Sequence, residues 1–386
     1  MPIKVIFYCN YISANIGVPG VNQALLADLV KCYGSNSEIY GSDYQSFYKF
    51  SWSDDMSSID VEKVAELDVD MPSMVVFSGF DPYRWTLPKI LKWKMKGCHV
   101  GFWTWGYHTK QQCEGNWENG KIPNWLKKIA TNIKKHTLAP LIDYYLVSGN
   151  FEIIDSGLNP AKCIKMPMGR PQSKILDACD KAQGTQVDYG CESVNYIGRG
   201  RWYAKGIDNI VKYASSRIGT TTTFRLYISS MEEGFEEKAQ SCKSDNVEWY
   251  YDTFGSDNLI WLQKCKAFIT VNKNPTMIRA TYESLYSGTP IVVLREAYMD
   301  GFKELLDIVG LSGSILILGD EELTDCSFTI PVMDSECRSK LAESMQILLD
   351  SSEFSQWFGS WLKAPSAPVS YYDHISKRLL LSDDEE

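Results

Sequence analysis

Two successive series of alternating strand-like and helix-like segments constrain the fold of this chain most strongly. In the first series the strand-like runs lie at 3–8, 74–77, 99–104, 143–148 and 164–169. In the second they lie at 193–197, 223–228, 247–251, 267–271 and 290–294. Segments with turn residues or helical periodicity separate them. Because strand, helix and parallel strand form the basic unit of α/β folds, the sequence predicts two mainly parallel sheets.

Helical patterns fill several of the connections between these strands. They lie at 21–30, 89–96, 122–137, 206–215, 257–265, 280–286 and 337–362, with one more within 369–381. The 386 residues suggest two domains. We predict domains at 1–170 and 191–360, a polar linker at 171–190, and a C-terminal helix with an acidic tail at 361–386. A cleft between the two sheets is expected.

The composition narrows the class of protein. A net charge of −9 argues against a constitutive nucleic-acid binder, which usually has a basic surface. The 11 cysteines form no Cys-x-x-Cys pair, which fits a reduced compartment and predicts a cytoplasmic protein. No apolar run approaches the roughly 20 residues that a membrane-spanning helix needs, so any membrane contact would be peripheral.

The densest chemical signal begins where a predicted strand ends at Tyr196-Ile197-Gly198-Arg199 and continues to Lys205-Gly206. Glycines let the backbone approach a ligand, and the cations Arg199 and Lys205 precede a helix N-terminus. Helix-end amides together with these cations could bind a diphosphate. The alternative is a surface loop whose charges are solvated, and the residues alone favour neither interpretation.

A second signal is Glu283, which lies on a predicted helix that ends at Gly288 and leads into a buried strand. A carboxylate beside such a crossover can accept hydrogen bonds from both hydroxyls of a ribose. The alternative is an exposed helical Glu paired with Arg279 one turn earlier, and the residues alone favour that alternative.

In this order and about 80 residues apart, the two segments resemble the C-terminal domain of GT-B glycosyltransferases, especially the retaining family 4 type. The residues Gly198-Arg199, Lys205-Gly206 and the segment 283–293 match that pattern, and the resemblance covers roughly residues 190–300. It implies two Rossmann-like α/β domains that face across a cleft. Residues 1–170 would lie on the acceptor side and 191–360 would bind the nucleotide sugar. The C-terminal helix could cross back to the N-terminal domain.

The resemblance also implies roles for individual residues. Arg199 and Lys205 would hold the donor diphosphate, approached by the N-terminal glycines Gly17 and Gly20. Glu283 would hold the donor ribose, and Arg279 is a candidate sugar or acceptor contact.

His108 is the candidate catalytic residue, because sugar-contacting histidines follow the comparable strand in GT-B enzymes. A neutral imidazole can bind a sugar hydroxyl or move a proton. Trp105 and Tyr107 could stack on a sugar or a base, although a structural role for these aromatic residues and for a single histidine is the alternative.

No metal or cofactor is expected. The 4 histidines are dispersed, and the chain has no His-x3-His and no Cys-x-x-Cys ligand set. One basic stripe, Lys127, Lys128, Lys134 and Lys135 near Trp125, is interpreted first as a solvated helix face. Its alternative is contact with a polyanion, either DNA or an anionic membrane.

The resemblance implies a glycosyltransferase that moves a sugar from a nucleotide sugar to an acceptor hydroxyl with retention, and the dispersed ligand residues predict that it needs no metal. The acceptor could be a glycan, lipid, protein or modified DNA. One alternative is a phage-type enzyme that glucosylates hydroxymethylcytosine in the host cytoplasm. The segment 196–206, with Trp202 between its two motifs, and Glu283 with Ser287-Gly288-Thr289 vaguely resemble such enzymes. Another is an inactive nucleotide-sugar-binding subunit, because Pro275 replaces the first Glu of the family's Glu pair.

Overall fold

The fold is described from a computed structural model of the whole chain. The described residues are 4–9, 37–42, 47–52, 59–64, 73–78, 86–103, 125, 126, 129, 137, 139–167, 193–242, 244–252, 265–272, 279–294 and 299–383. The chain divides into two compact units. The first comprises Met1–Arg170 with Asp350–His374, and the second comprises Pro171–Leu349 with Ile375–Glu386.

The first unit is built on one sheet with helices in its connections. Its elements up to residue 167 are β1 (Lys4–Cys9), β2 (Ser37–Ser42), β3 (Phe47–Trp52), β4 (Ile59–Val64), β5 (Ser73–Ser78), α1 (Thr86–Met95), β6 (His99–Trp103), β7 (Tyr144–Val147), α2 (Asn150–Ser156) and β8 (Cys163–Lys165).

The second unit contains a second sheet, after which the chain returns to the first. The second unit's elements are β9 (Val194–Gly200), α3 (Ile207–Ser216), β10 (Phe224–Met231), α4 (Phe235–Ser241), β11 (Val247–Tyr251), β12 (Ala267–Thr270), α5 (Arg279–Tyr286), β13 (Ile291–Leu294), α6 (Asp300–Ile308), β14 (Ile315–Leu318), α7 (Asp320–Asp325) and α8 (Ser335–Leu349). The last elements are α9 (Ser351–Lys363), β15 (Val369–Ser370) and α10 (Tyr371–Asp383).

The first sheet has nine strands in the order β15-β8-β7-β6-β5-β1-β2-β3-β4. Its strands are parallel except at one edge, where β3 pairs antiparallel with both β2 and β4. The expectation of a mainly parallel sheet is confirmed. The sequence prediction did not include β2, β3 and β4.

The apolar character of the central strands explains why they are buried. In β5, Met74, Val75 and Val76 are fully buried, as expected for a parallel strand covered on both faces. The Asp143 carboxylate, just before β7, accepts a hydrogen bond of 2.7 Å from the Val100 amide and pairs with Lys94 at 2.7 Å. This one side chain therefore links α1, β6 and the start of β7.

The C-terminal segment crosses back to the first unit, as the sequence suggested. β15 pairs with β8 in parallel, and the Tyr372 hydroxyl donates to the Ser148 carbonyl at 2.9 Å. The predicted helical segment 337–362 is confirmed, and it consists of two helices, α8 and α9, separated at Asp350. Asp350 interrupts it, because its backbone is extended and its carboxylate caps α9 by accepting from the Ser352 and Glu353 amides.

The second sheet has six parallel strands in the order β11-β10-β9-β12-β13-β14. In chain order this is the 3-2-1-4-5-6 arrangement of dinucleotide-binding domains, and the strand order reverses between β9 and β12. One face of the sheet packs on α3, α4 and α7 through a single apolar core. This topology places the ends of β9 and β12 side by side.

Candidate functional site

The turn from Arg201 to Gly206 follows β9 directly and therefore lies where the strand order reverses. The end of β12 is its neighbour in the sheet. Ligands of open parallel sheets bind outside the carboxyl ends of the strands at this kind of position. The second unit thus carries the strongest candidate site among the described residues.

Gly206 is the residue that brings the turn against β12. Its φ of +65° lies in the left-handed region, and a Cβ there would stand 2.1 Å from the Val271 carbonyl oxygen. Val271 directly follows β12. Only a glycine satisfies both the dihedral angle and this close backbone approach.

The end of β9 depends on two further glycines. The buried Tyr196 hydroxyl donates to the Arg199 carbonyl at 3.1 Å, and a Cβ on Gly198 would lie 2.6 Å from that hydroxyl. A Cβ on Gly200 would come within 2.8 Å of Ile228. Burial raises the pKa of Tyr196, which keeps its hydroxyl protonated as a donor.

Trp202 anchors the turn in the core of the second unit. Its ring is buried, stacks on Trp249 at 6.0 Å and meets Phe235 edge-on at 5.5 Å. Its amide donates to the Glu232 carboxylate at 3.0 Å. The Trp202 ring is therefore part of the core of the second unit.

Three cations cluster at the end of β9 and on this turn. Arg199 and Arg201 are exposed, and Lys205 is half-buried. Burial, followed by the positive charges of Arg199 and Arg201, lowers the pKa of Lys205. Within the part of the chain that the structure describes, none of the three side chains pairs with a carboxylate. Mutually repelling cations held together in this way fit an anionic ligand.

Arg201 was not among the predicted site residues. The sequence showed that more than one cation follows the strand, but it did not show which of them lie near Lys205. That proximity depends on how the Trp202 anchor folds the turn back on itself.

The first backbone amides of α3 make hydrogen bonds within the turn. The Ile207 and Asp208 amides both donate to the Trp202 carbonyl, at 3.0 and 3.4 Å, and the Asn209 amide donates to the Gly206 carbonyl at 3.1 Å. These are the first-turn amides of α3, which a bare helix end would offer to an anion. The expectation that these amides also bind a ligand stays a prediction.

We expect ligand binding at this turn to depend on pH below the ordinary titration range of lysine. The lowered pKa of Lys205 means that its charge is lost as pH rises through that lowered value, and affinity for an anion falls with it. Arg201→Ala removes one of the repelling charges, so the loss of affinity should move to higher pH. Titration calorimetry with a nucleoside diphosphate at several pH values measures this, and an unshifted profile in Arg201→Ala would contradict it.

Glu283 lies on α5, which follows β12 in the chain. Its side chain is buried, so the alternative of an exposed helical glutamate is wrong. The turn after α5 is fixed by Gly288, whose φ is +73° and whose Cβ would lie 2.4 Å from the Arg338 carbonyl oxygen. The buried Arg338 guanidinium donates to the Thr289 hydroxyl and the Cys265 carbonyl, which ties this turn to the start of β12.

Several predicted site residues lie outside the described part of the chain. These are Gly17, Gly20, Trp105, Tyr107 and His108, together with Pro275, the helical predictions at 21–30 and 257–265, the linker at 171–190 and most of 122–137. Arg279 is described as the first residue of α5. The assigned roles of all these residues stay predictions.

The described residues provide neither a metal-binding cluster nor a membrane-spanning helix. They contain no group of three or more His, Cys, Asp or Glu side chains that could hold a metal ion. Nor does any of their helices combine the length and apolarity required to cross a membrane.

Comparison with known proteins identifies the fold. A scan against protein-family models gives no match, and a search of curated proteins gives none. Solved structures do match. The α,α-trehalose-phosphate synthase (UDP-forming) of Burkholderia xenovorans in complex with glucose-6-phosphate aligns with a TM-score of 0.60 at 10% identity, covering 94% of this chain and 100% of that one.

Two further glycosyltransferase structures align over the same extent. Sucrose-phosphate synthase of Thermosynechococcus elongatus matches with a TM-score of 0.56 at 12% identity, covering 93% of this chain and 98% of that one. WaaG, a glycosyltransferase involved in lipopolysaccharide biosynthesis, matches with a TM-score of 0.54 at 12% identity, covering 93% and 100%. The chain therefore has the α/β fold of GT-B glycosyltransferases, with two sheets of mainly parallel strands.

Proposed function

We propose that this protein is a glycosyltransferase that moves a sugar from a nucleotide-sugar donor to an acceptor hydroxyl. The observation that carries the proposal is the cluster of Arg199, Arg201 and Lys205 at the point where the strand order of the second sheet reverses. A diphosphate is the anion that suits such a site in a nucleotide-binding sheet. The similarity to glycosyltransferase structures supports a nucleotide sugar as the donor.

The proposed chemistry follows from the charge distribution. When the bond between sugar and diphosphate breaks, negative charge grows on the departing phosphate oxygens. Lysine and arginine side chains fixed beside those oxygens stabilise this charge in the transition state, as preorganised electrostatics do in other enzymes. Arg199 and Lys205 would hold the diphosphate, with Arg201 as the third cation.

The remaining assignments complete the proposal. Glu283 holds the donor ribose through a buried carboxylate. His108 acts at the sugar or acceptor, and Gly17 and Gly20 approach the donor from the N-terminal half. We propose retention of the anomeric configuration, and one similar structure is a trehalose-6-phosphate synthase whose glycosyltransfer proceeds with retention. The acceptor could be a glycan, a lipid, a protein or modified DNA.

Sugar transfer should not require a metal, because the three cations can neutralise the leaving diphosphate. Excess EDTA is expected to leave the rate of transfer unchanged. The measurement is product formation from a labelled donor with and without the chelator. Loss of activity that Mg²⁺ or Mn²⁺ restores would contradict this prediction.

His108 and Glu283 should affect different kinetic parameters. Glu283→Gln is expected to raise KM or Kd for the donor with a smaller change in kcat, because a ribose contact is made equally in the ground and transition states. His108→Ala should lower kcat more than donor affinity, because it acts where bonds change. Steady-state kinetics together with direct binding measurements separates the two effects. Equal changes of kcat and donor affinity in both variants would contradict the separate roles and would show only that both residues belong to one site.

The donor is found by a thermal-shift screen with UDP-, GDP- and other nucleotide sugars. We expect one of them to raise the melting temperature, and a radiolabelled version of that donor to transfer its sugar. If the donor binds but its sugar is transferred to none of the glycan, lipid, protein and hydroxymethylated DNA acceptors, the alternative of an inactive nucleotide-sugar-binding subunit would be favoured. The absence of any shift would contradict the proposal as a whole.

A further inference from the structure

One stretch of the first unit is strongly basic, although the protein is acidic. Residues 82–142 contain eleven Lys and Arg against two Glu, whereas the rest of the chain contains 28 Lys and Arg against 46 Asp and Glu. Charge separated in this way creates a local positive potential that attracts an anionic partner.

Helix α1, within this stretch, has apolar residues on the side away from the core. Ile90 and Trp93 are buried in the core of the first unit. Leu91 and Met95, one helical turn apart, are 43% and 84% exposed. Exposed lysines follow each of them at positions 92 and 96. The outer face of α1 thus combines apolar and cationic side chains.

A second apolar patch occurs at residues 125–129 in the same stretch. Trp125, Leu126 and Ile129 are helical and are 61%, 41% and 49% exposed. The sequence from 121 to 142 around them contains five lysines and neither Asp nor Glu. Exposed Trp, Leu and Ile beside lysines are typical of helices that lie in a membrane interface.

The topology places the two patches on the same side of the first sheet. Strands β5, β6 and β7 are adjacent and parallel. Helix α1 connects β5 to β6, and residues 125–129 lie in the connection from β6 to β7. Because crossovers between parallel strands are right-handed, consecutive connections in one direction cover the same face.

We propose that this face, defined by Leu91, Met95, Trp125, Leu126 and Ile129 with the exposed Lys92 and Lys96, docks on an anionic lipid surface. The apolar side chains enter the headgroup region and the lysines face lipid phosphates. Charge complementarity and the exposed Trp and Met together select a membrane, because duplex DNA would use the cations and leave the apolar residues in water. This proposal does not depend on sugar transfer.

Co-sedimentation of the full chain with lipid vesicles tests the proposal. Binding is expected with phosphatidylglycerol-containing vesicles, not with pure phosphatidylcholine, and it should weaken as salt increases. Trp125→Ser and Met95→Ser should each weaken binding by roughly tenfold, and Trp125→Phe should preserve most of it. The matched control is Val332→Ser, which removes a 73% exposed apolar side chain from the second unit and should have no effect.

Two outcomes would overturn the proposal. The first is no binding to anionic vesicles. The second is binding that duplex DNA competes for and that neither apolar variant changes, which would identify a general polyanion surface. Nucleotide-sugar affinity and the thermal unfolding midpoint of each variant are measured in parallel. Both should stay at the wild-type values, which separates this proposal from the proposed function and from misfolding.

Discussion

Arg199→Ala and Lys205→Ala are each expected to weaken nucleotide-sugar binding by about 10- to 150-fold. A hydrogen bond to a charged group contributes about 1.5–3 kcal/mol, and each 1.4 kcal/mol corresponds to a factor of ten in Kd. The effect should fall on the phosphate part of the donor, so the affinity for the free nucleoside should not change. Titration calorimetry with the nucleotide sugar, the nucleoside diphosphate and the nucleoside measures all three.

The matched control for Arg199→Ala is Arg225→Ala. Arg225 lies on β10 in the same unit and pairs with Glu248 on β11 at 2.9 Å. Its removal changes the net charge by the same amount away from the turn. If Arg225→Ala weakened diphosphate binding as much as Arg199→Ala, long-range charge and not direct contact would account for the loss.

Gly206→Ala is expected to destabilise the protein and to abolish donor binding while every cation is retained. The left-handed conformation alone costs a non-glycine residue roughly 1–2 kcal/mol. The added Cβ would also stand 2.1 Å from the Val271 carbonyl oxygen, a backbone atom that no rotamer change can move. The turn must therefore shift away from β12, which displaces Lys205 beside it. Urea denaturation and donor binding measure the two losses.

Gly219→Ala separates these two causes. Gly219 also has a positive φ, of +92°, but no atom lies within 4 Å of its Cβ position. It should show only the conformational part of the destabilisation and retain normal donor binding. Equal losses of stability in Gly206→Ala and Gly219→Ala would show that the contact with Val271 contributes nothing.

The sequence predicted the central strands of both units well, for a physical reason. Strands such as β12 and β13 are buried on both faces, so nearly all of their residues are apolar. A short continuous apolar run is therefore a recognisable pattern for such a strand. The 3-2-1-4-5-6 order was not predictable in the same way, because strand order depends on pairing between distant segments.

The prediction missed β14 (Ile315–Leu318) despite its apolar sequence, and it missed the three strands at the antiparallel edge of the first sheet, which have a different pattern. β2, β3 and β4 mix charged and polar residues with apolar ones, as in Phe47–Trp52 and Ile59–Val64, and form an antiparallel edge. No continuous apolar run marks them. The division at Asp350 was missed for a related reason, since apolar periodicity continues on both sides of a cap that only side-chain geometry reveals.

The candidate site likewise has a part that the sequence predicted and a part that depends on tertiary packing. The motif spacing pointed to Arg199, Lys205 and Glu283, because glycines and charges at fixed offsets are visible in a sequence. The α3 amides donate hydrogen bonds to the Trp202 carbonyl, and Arg201 lies near Lys205. Both features follow from the tertiary packing of the turn. Neither has a signal in the sequence.

Chemical footprinting of Lys205 tests the central claim most directly. Its lowered pKa provides a larger neutral fraction than an ordinary lysine has, so an acylating reagent should modify it readily in the free protein. A saturating nucleotide sugar should protect Lys205, while Lys303, paired with Asp307 on α6, should be modified equally with and without the donor. Mass spectrometry of the two peptides measures both rates. Protection of Lys205 alone is the result expected here, and unchanged modification of Lys205 at saturating donor would contradict a diphosphate site on this turn.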